Sequence, residues 1–182
     1  MRKRQEAPGE LEQVRAFVNT ADLEEGEEDL ATPGALSAWL TDHELLEGSA
    51  RATRADLRAA IEIREALREL LLANAGGAPA RKAAATLDAA ARRARLGVRF
   101  DAAGGHLEPG AGGVQGALGR LLAIVQRAMS SGTWDRMKAC RQDTCRWAFY
   151  DNTKNRSGVW CNMGACGNRA KARAYRERQT AT

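Results

Sequence analysis

The chain has no long apolar run and few of the side chains that carry nucleophilic or redox chemistry. None of its segments approaches the roughly 20 continuous apolar residues that a membrane-spanning helix needs, so a membrane-spanning protein is not expected. Histidine occurs only at His43 and His106, and the four cysteines all fall within residues 140–166. Because residues 10–131 contain no cysteine and no paired catalytic constellation, we do not expect an enzyme.

The N-terminus also lacks the features of an export signal. The charged residues 1–6 are followed by no apolar segment, so no signal peptide is indicated and a cytoplasmic location is expected. In a reducing compartment, four cysteines are more readily metal ligands or reactive thiols than disulfides.

Charge and aromatic residues are strongly segregated along the chain. Residues 134–182 carry 11 Lys and Arg against four Asp and Glu, a net charge of +7, whereas residues 1–133 carry a net charge of −2. Six of the nine aromatic residues also lie in 134–182. This distribution predicts two segments with different functions, which we place at residues 1–131 and 132–182.

Hydrophobic periodicity predicts that the first segment is mostly helical. Helix-start signals occur at Thr32, which precedes a proline, and at Thr53, which is followed by Asp56 three residues later. The six carboxylates of residues 22–29 would repel one another in a helix, so this run is predicted to be a solvated loop. Helices are predicted over residues 10–20, 32–48, 53–74, 79–95 and 114–129, with Ile61 and Met129 on apolar faces, and a short β-hairpin over residues 98–108.

The four cysteines form two pairs with the same spacing. Four residues separate Cys140 from Cys145, fifteen residues follow, and four residues separate Cys161 from Cys166. Each pair can supply two thiolates from one tight turn, and a hairpin between the pairs can bring them together around a tetrahedral ion. The pattern predicts one structural zinc ion per chain, with no position left for a substrate.

The residues around the cysteines predict a small finger. A strand over residues 146–151 is expected to pair with a return strand over residues 158–160, and the second cysteine pair is expected to lead into a helix.

Other uses of the four cysteines fit the sequence less well. Two disulfides suit the even count but not a cytoplasmic protein. An iron–sulfur cluster also takes four thiolates, but the paired spacing without a Cys-x-x-Cys run favours zinc. Reactive thiol chemistry needs an acid–base partner, and both histidines lie far away in the sequence.

The C-terminal segment resembles the CGNR zinc fingers. It contains the tetrapeptide Cys166-Gly167-Asn168-Arg169 for which that family is named. The surrounding frame is also similar to the family pattern: Trp134, Arg136, Lys138 and Cys140, then Cys145-Arg146-Trp147, Phe149-Tyr150-Asp151, Asn155, Ser157, Trp160-Cys161, Met163, Lys171 and Arg173.

The N-terminal segment has a resemblance of its own. Phe17-Val18-Asn19-Thr20, with helices after it, is similar to the ABATE domain that accompanies this finger in bacterial proteins described as stress-induced transcriptional regulators. The two resemblances together imply DNA binding and control of transcription.

The residues after Cys166 favour a contact with nucleic acid on physical grounds as well. At about 100° per residue, Arg169, Arg173 and Arg176 share one face of the predicted helix. Asn168 and Arg169 are also expected to support the zinc site through hydrogen bonds. The alternative is a solvated terminal helix whose charges only keep the protein soluble. The residues predicted to contact nucleic acid are Arg169, Lys171, Arg173 and Arg176.

The sequence therefore predicts a mainly α protein with two parts. An N-terminal helical domain with a short β-hairpin precedes a small four-cysteine zinc finger, which is built from a β-hairpin and a C-terminal helix. We expect a zinc-binding transcription regulator that contacts DNA and does not contact membranes. A protein-interaction adaptor, an RNA-binding protein and a homodimer stay open.

Overall fold

The computed structural model describes residues 6–102 and 104–180, and the predicted mainly α fold is confirmed. Within these ranges the chain forms six α-helices and three two-stranded antiparallel sheets. No helix in the described ranges has both the length and the apolarity needed to cross a membrane. The elements are α1 (Leu11–Val18), β1 (Ala21–Asp22), β2 (Glu27–Glu28), α2 (Pro33–Asp42), α3 (Arg54–Asn74), α4 (Arg81–Arg93), β3 (Leu96–Asp101), β4 (Gly104–Pro109), α5 (Gly113–Ser130), β5 (Met137–Ala139), β6 (Ala148–Tyr150) and α6 (Asn168–Thr180).

Two helices begin at the caps indicated by the sequence. The Thr32 hydroxyl accepts a hydrogen bond from the Ala35 N–H at 3.1 Å. At the start of α3, the Asp56 N–H donates to the Thr53 hydroxyl at 3.2 Å, and the Asp56 carboxylate accepts from the Thr53 N–H at 2.9 Å. These bonds satisfy N–H groups that have no partner inside the helix.

One apolar core extends through both segments of the chain. Phe17, Leu67 and Leu121 are fully buried where α1, α3 and α5 meet. Met137 in β5 and Tyr150 in β6 belong to the same cluster, because β5 packs on α3 and β6 packs on α1. The division of the chain into two domains between residues 131 and 132 stays a prediction. The apolar core includes residues on both sides of that boundary.

One predicted apolar position, Met129, is wrong, and another, Ile61, is only partly buried. Ile63, not Ile61, is buried in α3, because Ile63, Leu67 and Leu71 are spaced by four residues and form one line along the helix. Met129 is 45% exposed because it lies in the last turn of α5, at the edge of the core.

The acidic run 22–29 is mostly exposed to solvent, as predicted, but it is ordered as a short hairpin. β1 and β2 pair antiparallel, with Ala21 opposite Glu28. The two oxygens of the Glu28 carboxylate accept from Arg64 Nη1 and Nη2 at 2.7 and 2.8 Å, and Arg64 is buried. Burial opposes the ionisation of Glu28, but the hydrogen bonds from Arg64 and the Leu30 N–H, together with the charges of Arg64 and Arg68, lower the pKa of this carboxyl below its usual value. The buried guanidinium thus offsets part of the repulsion among these carboxylates.

Amide side chains of the helical segment hold the backbone of the C-terminal segment. Asn19 donates to the Ala148 carbonyl at 2.9 Å and accepts from the Ala148 N–H at 2.8 Å. Asn74 donates to the carbonyls of Trp134 and Met137 at 3.0 and 2.9 Å. The Asn19 side chain therefore makes the two hydrogen bonds to Ala148 that the backbone of a neighbouring strand would make.

Arg68 makes a third link between the two segments. Its guanidinium is buried and donates to the Val18 carbonyl at 2.7 Å and to the Arg146 carbonyl at 3.1 Å. Its Nε lies 3.0 Å from the Glu65 carboxylate, which supplies the opposite charge. One side chain of α3 thus fixes the end of α1 and the start of β6.

Replacing Asn19 by Ala is expected to lower the free energy of unfolding by roughly 2–4 kcal/mol, because both backbone groups of buried Ala148 are left without a partner. Urea unfolding of zinc-loaded protein measures the change. Gln126→Ala is the control, since this exposed amide donates to Ser130 within the same helix. Equal stability of the two variants would contradict the role assigned to Asn19.

Candidate zinc centre and basic helix

The four cysteine sulfurs converge on one point. Cys140, Cys145, Cys161 and Cys166 are buried, and their Sγ atoms lie within 4.8 Å of one another. The sulfur of Cys161 lies 3.6 Å from that of Cys145 and 3.8 Å from that of Cys166. Four sulfurs at about 2.3 Å from a tetrahedral zinc ion would be about 3.8 Å apart. The arrangement fits one zinc ion with no further ligand.

The first cysteine pair lies in the turn of the β5–β6 hairpin. Cys140 directly follows β5, and its N–H donates to the Trp147 carbonyl at 2.9 Å. The Cys145 N–H donates to the Gln142 carbonyl at 2.9 Å, which closes the turn between the pair. The antiparallel strands therefore fix the position of both thiols.

The second cysteine pair lies at a π-helical turn over Met163–Gly167: Cys166 is within the turn, and Cys161 is two residues before it. The Asn162 side chain caps this turn by accepting from the Ala165 N–H at 3.1 Å. A Cβ on Gly167 would lie 2.5 Å from the Met163 sulfur, so any other residue here would require the exposed Met163 side chain to move. Asn168, the first residue of α6, donates to the Gly164 carbonyl at 3.0 Å and links the helix to the turn.

The strand that follows Cys145 pairs with a different partner from the one predicted. β6 pairs antiparallel with β5, with Met137 opposite Tyr150 and Ala139 opposite Ala148. Residues 158–160 form no strand, and the Val159 carbonyl instead accepts from the Arg141 N–H at 3.0 Å. The cause is the segment after β6, which folds around Asp151 rather than returning as a strand.

A buried ion pair fixes this segment. Lys138 Nζ lies 2.8 Å from an Asp151 carboxylate oxygen, and the two side chains are 4% and 1% exposed. Lys138 also donates to the Gly158 carbonyl at 3.0 Å, and Asp151 accepts from the N–H groups of Thr153 and Gly158 at 3.0 and 2.8 Å. Sequence reasoning gave neither charge a role. The available signal was a lysine between the apolar residues Met137 and Ala139.

The hydrogen bonds keep Asp151 ionised. Burial alone would raise its pKa, but the bonds from Lys138, Thr153 and Gly158 outweigh burial and lower the pKa to about 2. An unfolded aspartate titrates near about 3.9. The stabilisation is therefore complete above that value and is lost as the pH falls toward about 2.

Three of the four thiols have strongly shifted pKa values. Hydrogen bonds from Cys145 and Cys161 lower the pKa of Cys140 to about 2, and the contacts with Cys140 and Cys145 raise that of Cys161. Burial and the charges of the same two neighbours raise the pKa of Cys166 to about 12. Four thiolates cannot share this volume without a cation. A zinc ion removes the conflict because its charge stabilises every bound thiolate.

Aromatic side chains surround the cysteines and form a second, smaller core. Phe149 is 2% exposed and packs against the four cysteines, with Trp147 and Trp160 partly buried beside it. Ala148 and Tyr150, on the other face of β6, join the main core. A domain this small needs both the metal and these rings to bury enough surface.

Helix α6 begins at the zinc site and is exposed along its length. It contains five Lys and Arg and one Glu, and its first turn has no acidic residue. The structure places all four predicted nucleic-acid contacts on this helix with exposed side chains: Arg169, Lys171, Arg173 and Arg176. Their role in binding stays a prediction.

Two of these arginines have carboxylate neighbours. Arg169 forms an ion pair with Glu24 in the acidic turn of the helical segment. Arg173 lies 3.9 Å from Asp143 and 3.9 Å from Glu177. Arg169 thus contacts the helical segment, and its predicted support of the zinc site stays untested.

A cleft of about 490 Å³ opens beside α6. The C-terminal segment lines one side with Arg141, Arg146 and Arg173, and residues 77–80, between α3 and α4, line the other. Asp143 lies between two of these arginines, at 2.5 Å from Arg146 and 3.9 Å from Arg173. The basic surface of α6 therefore continues into a groove shared with the helical segment.

Comparison with known families matches both segments. The family described as "ABATE: Putative stress-induced transcription regulator" matches residues 14–131. The chain belongs to the ABATE family. The CGNR zinc finger matches residues 136–179 of this ABATE protein, which includes the four buried cysteines and α6 through Gln179. Together with the sulfur geometry, this match assigns one zinc ion to the chain. No curated protein matches the sequence.

Replacing Cys161 by Ser is expected to lower the zinc content well below one ion per chain, because only three of the four thiolates remain. Elemental analysis of freshly purified, reduced protein measures the content. Most far-UV CD signal should persist, but the melting temperature should fall since β5 and β6 belong to the main core. Thr144→Ala, an exposed change in the first turn, is the control, and full zinc content in Cys161→Ser would refute the site.

Replacing Lys138 by Met is expected to destabilise the protein by roughly 3–5 kcal/mol, because Asp151 becomes a buried charge without its partner. Unfolding by urea at fixed zinc concentration measures the effect. The double variant with Asp151→Leu should recover part of the stability, since both charges are then gone. The exposed Lys154→Met in the same segment is the control, and a destabilisation no larger than the control's would argue against the ion pair.

Proposed function

We propose that this ABATE protein regulates transcription by binding DNA through its zinc finger, with α6 as the main contact. The observation that carries the proposal is the position of α6, a basic helix fixed to a zinc site at one end and exposed along its length. Cations on such a surface displace the counterions of the phosphate backbone, which favours association.

The sequence of α6 suits a close approach to DNA. Ala170, Ala172 and Ala174 alternate with cationic residues, so small side chains separate the long ones. The helix backbone can then come near a groove while the arginines reach phosphates or guanine edges.

DNA binding would exchange existing ion pairs for phosphate contacts. Arg169 would leave Glu24, and Arg173 would leave Asp143. The Arg173–Asp143 pair is exposed on both sides, and such pairs contribute at most about 1 kcal/mol, so its exchange costs little. The exchange at Arg169 costs more, because the Glu24 side chain is 13% exposed and would lose this cation. The cleft that contains Arg141 and Arg146 would extend the phosphate-binding surface.

The helical segment would then receive a signal or mediate dimerisation, without catalysis, in the cytoplasm. Its two histidines have ordinary contacts. His43 stacks on Trp39 with ring centroids 3.9 Å apart, and His106 is exposed, with its Nδ1 3.5 Å from Asp101. Neither forms a pair with a nucleophilic side chain in the described residues, which supports a binding protein rather than an enzyme.

Replacing Arg173 and Arg176 together by Ala is expected to weaken binding to duplex DNA and to reduce the magnitude of the salt slope by roughly 0.9 for each phosphate that the helix no longer neutralises. Zinc content should not change. The comparison pair is Lys171→Ala with Arg178→Ala, which removes two charges from the opposite face of the same helix. Because Lys171 is itself a predicted contact, this pair is expected to have a distinctly smaller effect rather than none. Titrations of a labelled duplex at several salt concentrations measure both pairs.

Each outcome decides between defined alternatives. A larger decrease in affinity from the arginine pair supports the proposal, whereas equal decreases would indicate diffuse attraction of charge. Absence of DNA binding by the unmodified protein would favour a protein-interaction adaptor. Tighter binding to RNA of the same sequence would favour an RNA-binding protein.

A further inference from the structure

The β3–β4 hairpin exposes an apolar face beyond the body of the protein. Leu96 at its base packs partly against the main core. Farther along the same face, Val98 is 59% exposed and Phe100 is 83% exposed. Exposed apolar surface of this kind is typical of a protein interaction site.

Strand β3 also has an open edge. Within residues 6–102 and 104–180 its one strand partner is β4, in a two-stranded sheet. Residues 97–101 are all exposed, so no other described element covers this strand. The backbone groups along an open edge are a template for pairing with another chain.

We propose that two copies of this protein pair through β3, edge to edge and antiparallel, to form a homodimer. The result is a continuous four-stranded sheet in the order β4, β3, β3, β4. Such an interface has two-fold symmetry. If one residue of the first copy faces a second residue in the other copy, then that second residue of the first copy also faces the first residue of the other copy. The sequence of β3 must then complement itself.

The apolar face of β3 meets this condition when the pairing is centred on Val98. Val98 then lies opposite Val98 of the second copy, and Leu96 lies opposite Phe100 at both ends. Apolar pairs directly across antiparallel strands stabilise a sheet. The two most exposed apolar side chains of the hairpin each gain an apolar partner.

The polar face meets the condition in the same register. Gly97 lies opposite Arg99 of the second copy. Arg95, just before the strand, has a φ of 51° and donates to the Gly110 carbonyl of its own hairpin, so it takes no part in the pairing. The register places no like charges face to face within the paired strands.

Neighbouring registers lack this complementarity. A shift of one residue would bring the apolar face of one copy to the charged face of the other. A shift of two residues that centres the pairing on Arg99 would place two Arg99 side chains directly opposite, which is destabilising.

The charges of the hairpin favour a second copy over a partner of strong opposite charge. Arg99 lies 3.7 Å from Glu108, and His106 lies 3.5 Å from Asp101. The hairpin therefore pairs its own charges and presents no large excess of either sign. The inference does not rest on DNA binding.

A cysteine at position 98 tests the register. Opposite Cα atoms in antiparallel strands are about 4.5–5.5 Å apart, within the about 4.4–6.8 Å that a disulfide spans. The zinc-loaded full chain with Val98→Cys should form a covalent dimer under mild oxidation, seen on a non-reducing gel. Arg99→Cys should not, because its symmetry mate would be two residues away along the strand, at about 8 Å.

Sedimentation velocity tests the association itself. The unmodified protein should sediment as a dimer and Val98→Asp as a monomer, with unchanged CD spectra and zinc content. Met129→Asp is the matched control, since Met129 is 45% exposed on α5 and should not affect the dimer. A monomeric unmodified protein, equal dissociation in Met129→Asp, or equal cross-linking at positions 98 and 99 would each overturn the proposal.

Discussion

Strand β6 contacts the zinc site with one face and the helical core with the other. Phe149 packs against the four cysteines, while Ala148 and Tyr150 enter the main core from the opposite side. A strand of three residues has little stability alone, so the metal, the core and the Asn19 side chain must hold it together. The position of α6 depends on this arrangement, because the helix begins at the second cysteine pair.

Buried charges specify much of the structure around β6. Three cationic side chains are at least 95% buried: Arg64, Arg68 and Lys138. Each has a carboxylate partner, and each also donates to a hydroxyl or a backbone carbonyl. Desolvation makes such groups costly unless their donors are satisfied, so they add little net stability. We interpret their role as geometric. Their hydrogen-bond donors are all satisfied in only one arrangement of the acidic turn, the end of α1 and the segment after β6.

Local sequence patterns correctly predicted the features that depend on residues close together in the chain. The caps at Thr32 and Thr53 marked two helix starts, and the cysteine spacing indicated the zinc ligands. The partner of β6 was wrong because Lys138 and Asp151, which redirect the chain after the strand, are 13 residues apart and have no common periodicity. The bond between Asn19 and Ala148 spans 129 residues, and periodicity within one helix cannot indicate it.

The continuous core has a consequence for any attempt to divide the chain. The ABATE match ends at residue 131, and the finger match begins at residue 136. A chain shortened at that boundary would expose to water the surfaces of α3 and α1 that β5 and β6 cover. It would also leave Asn19 and Asn74 without the backbone groups they bind. The two family matches therefore share buried surface across the boundary between them.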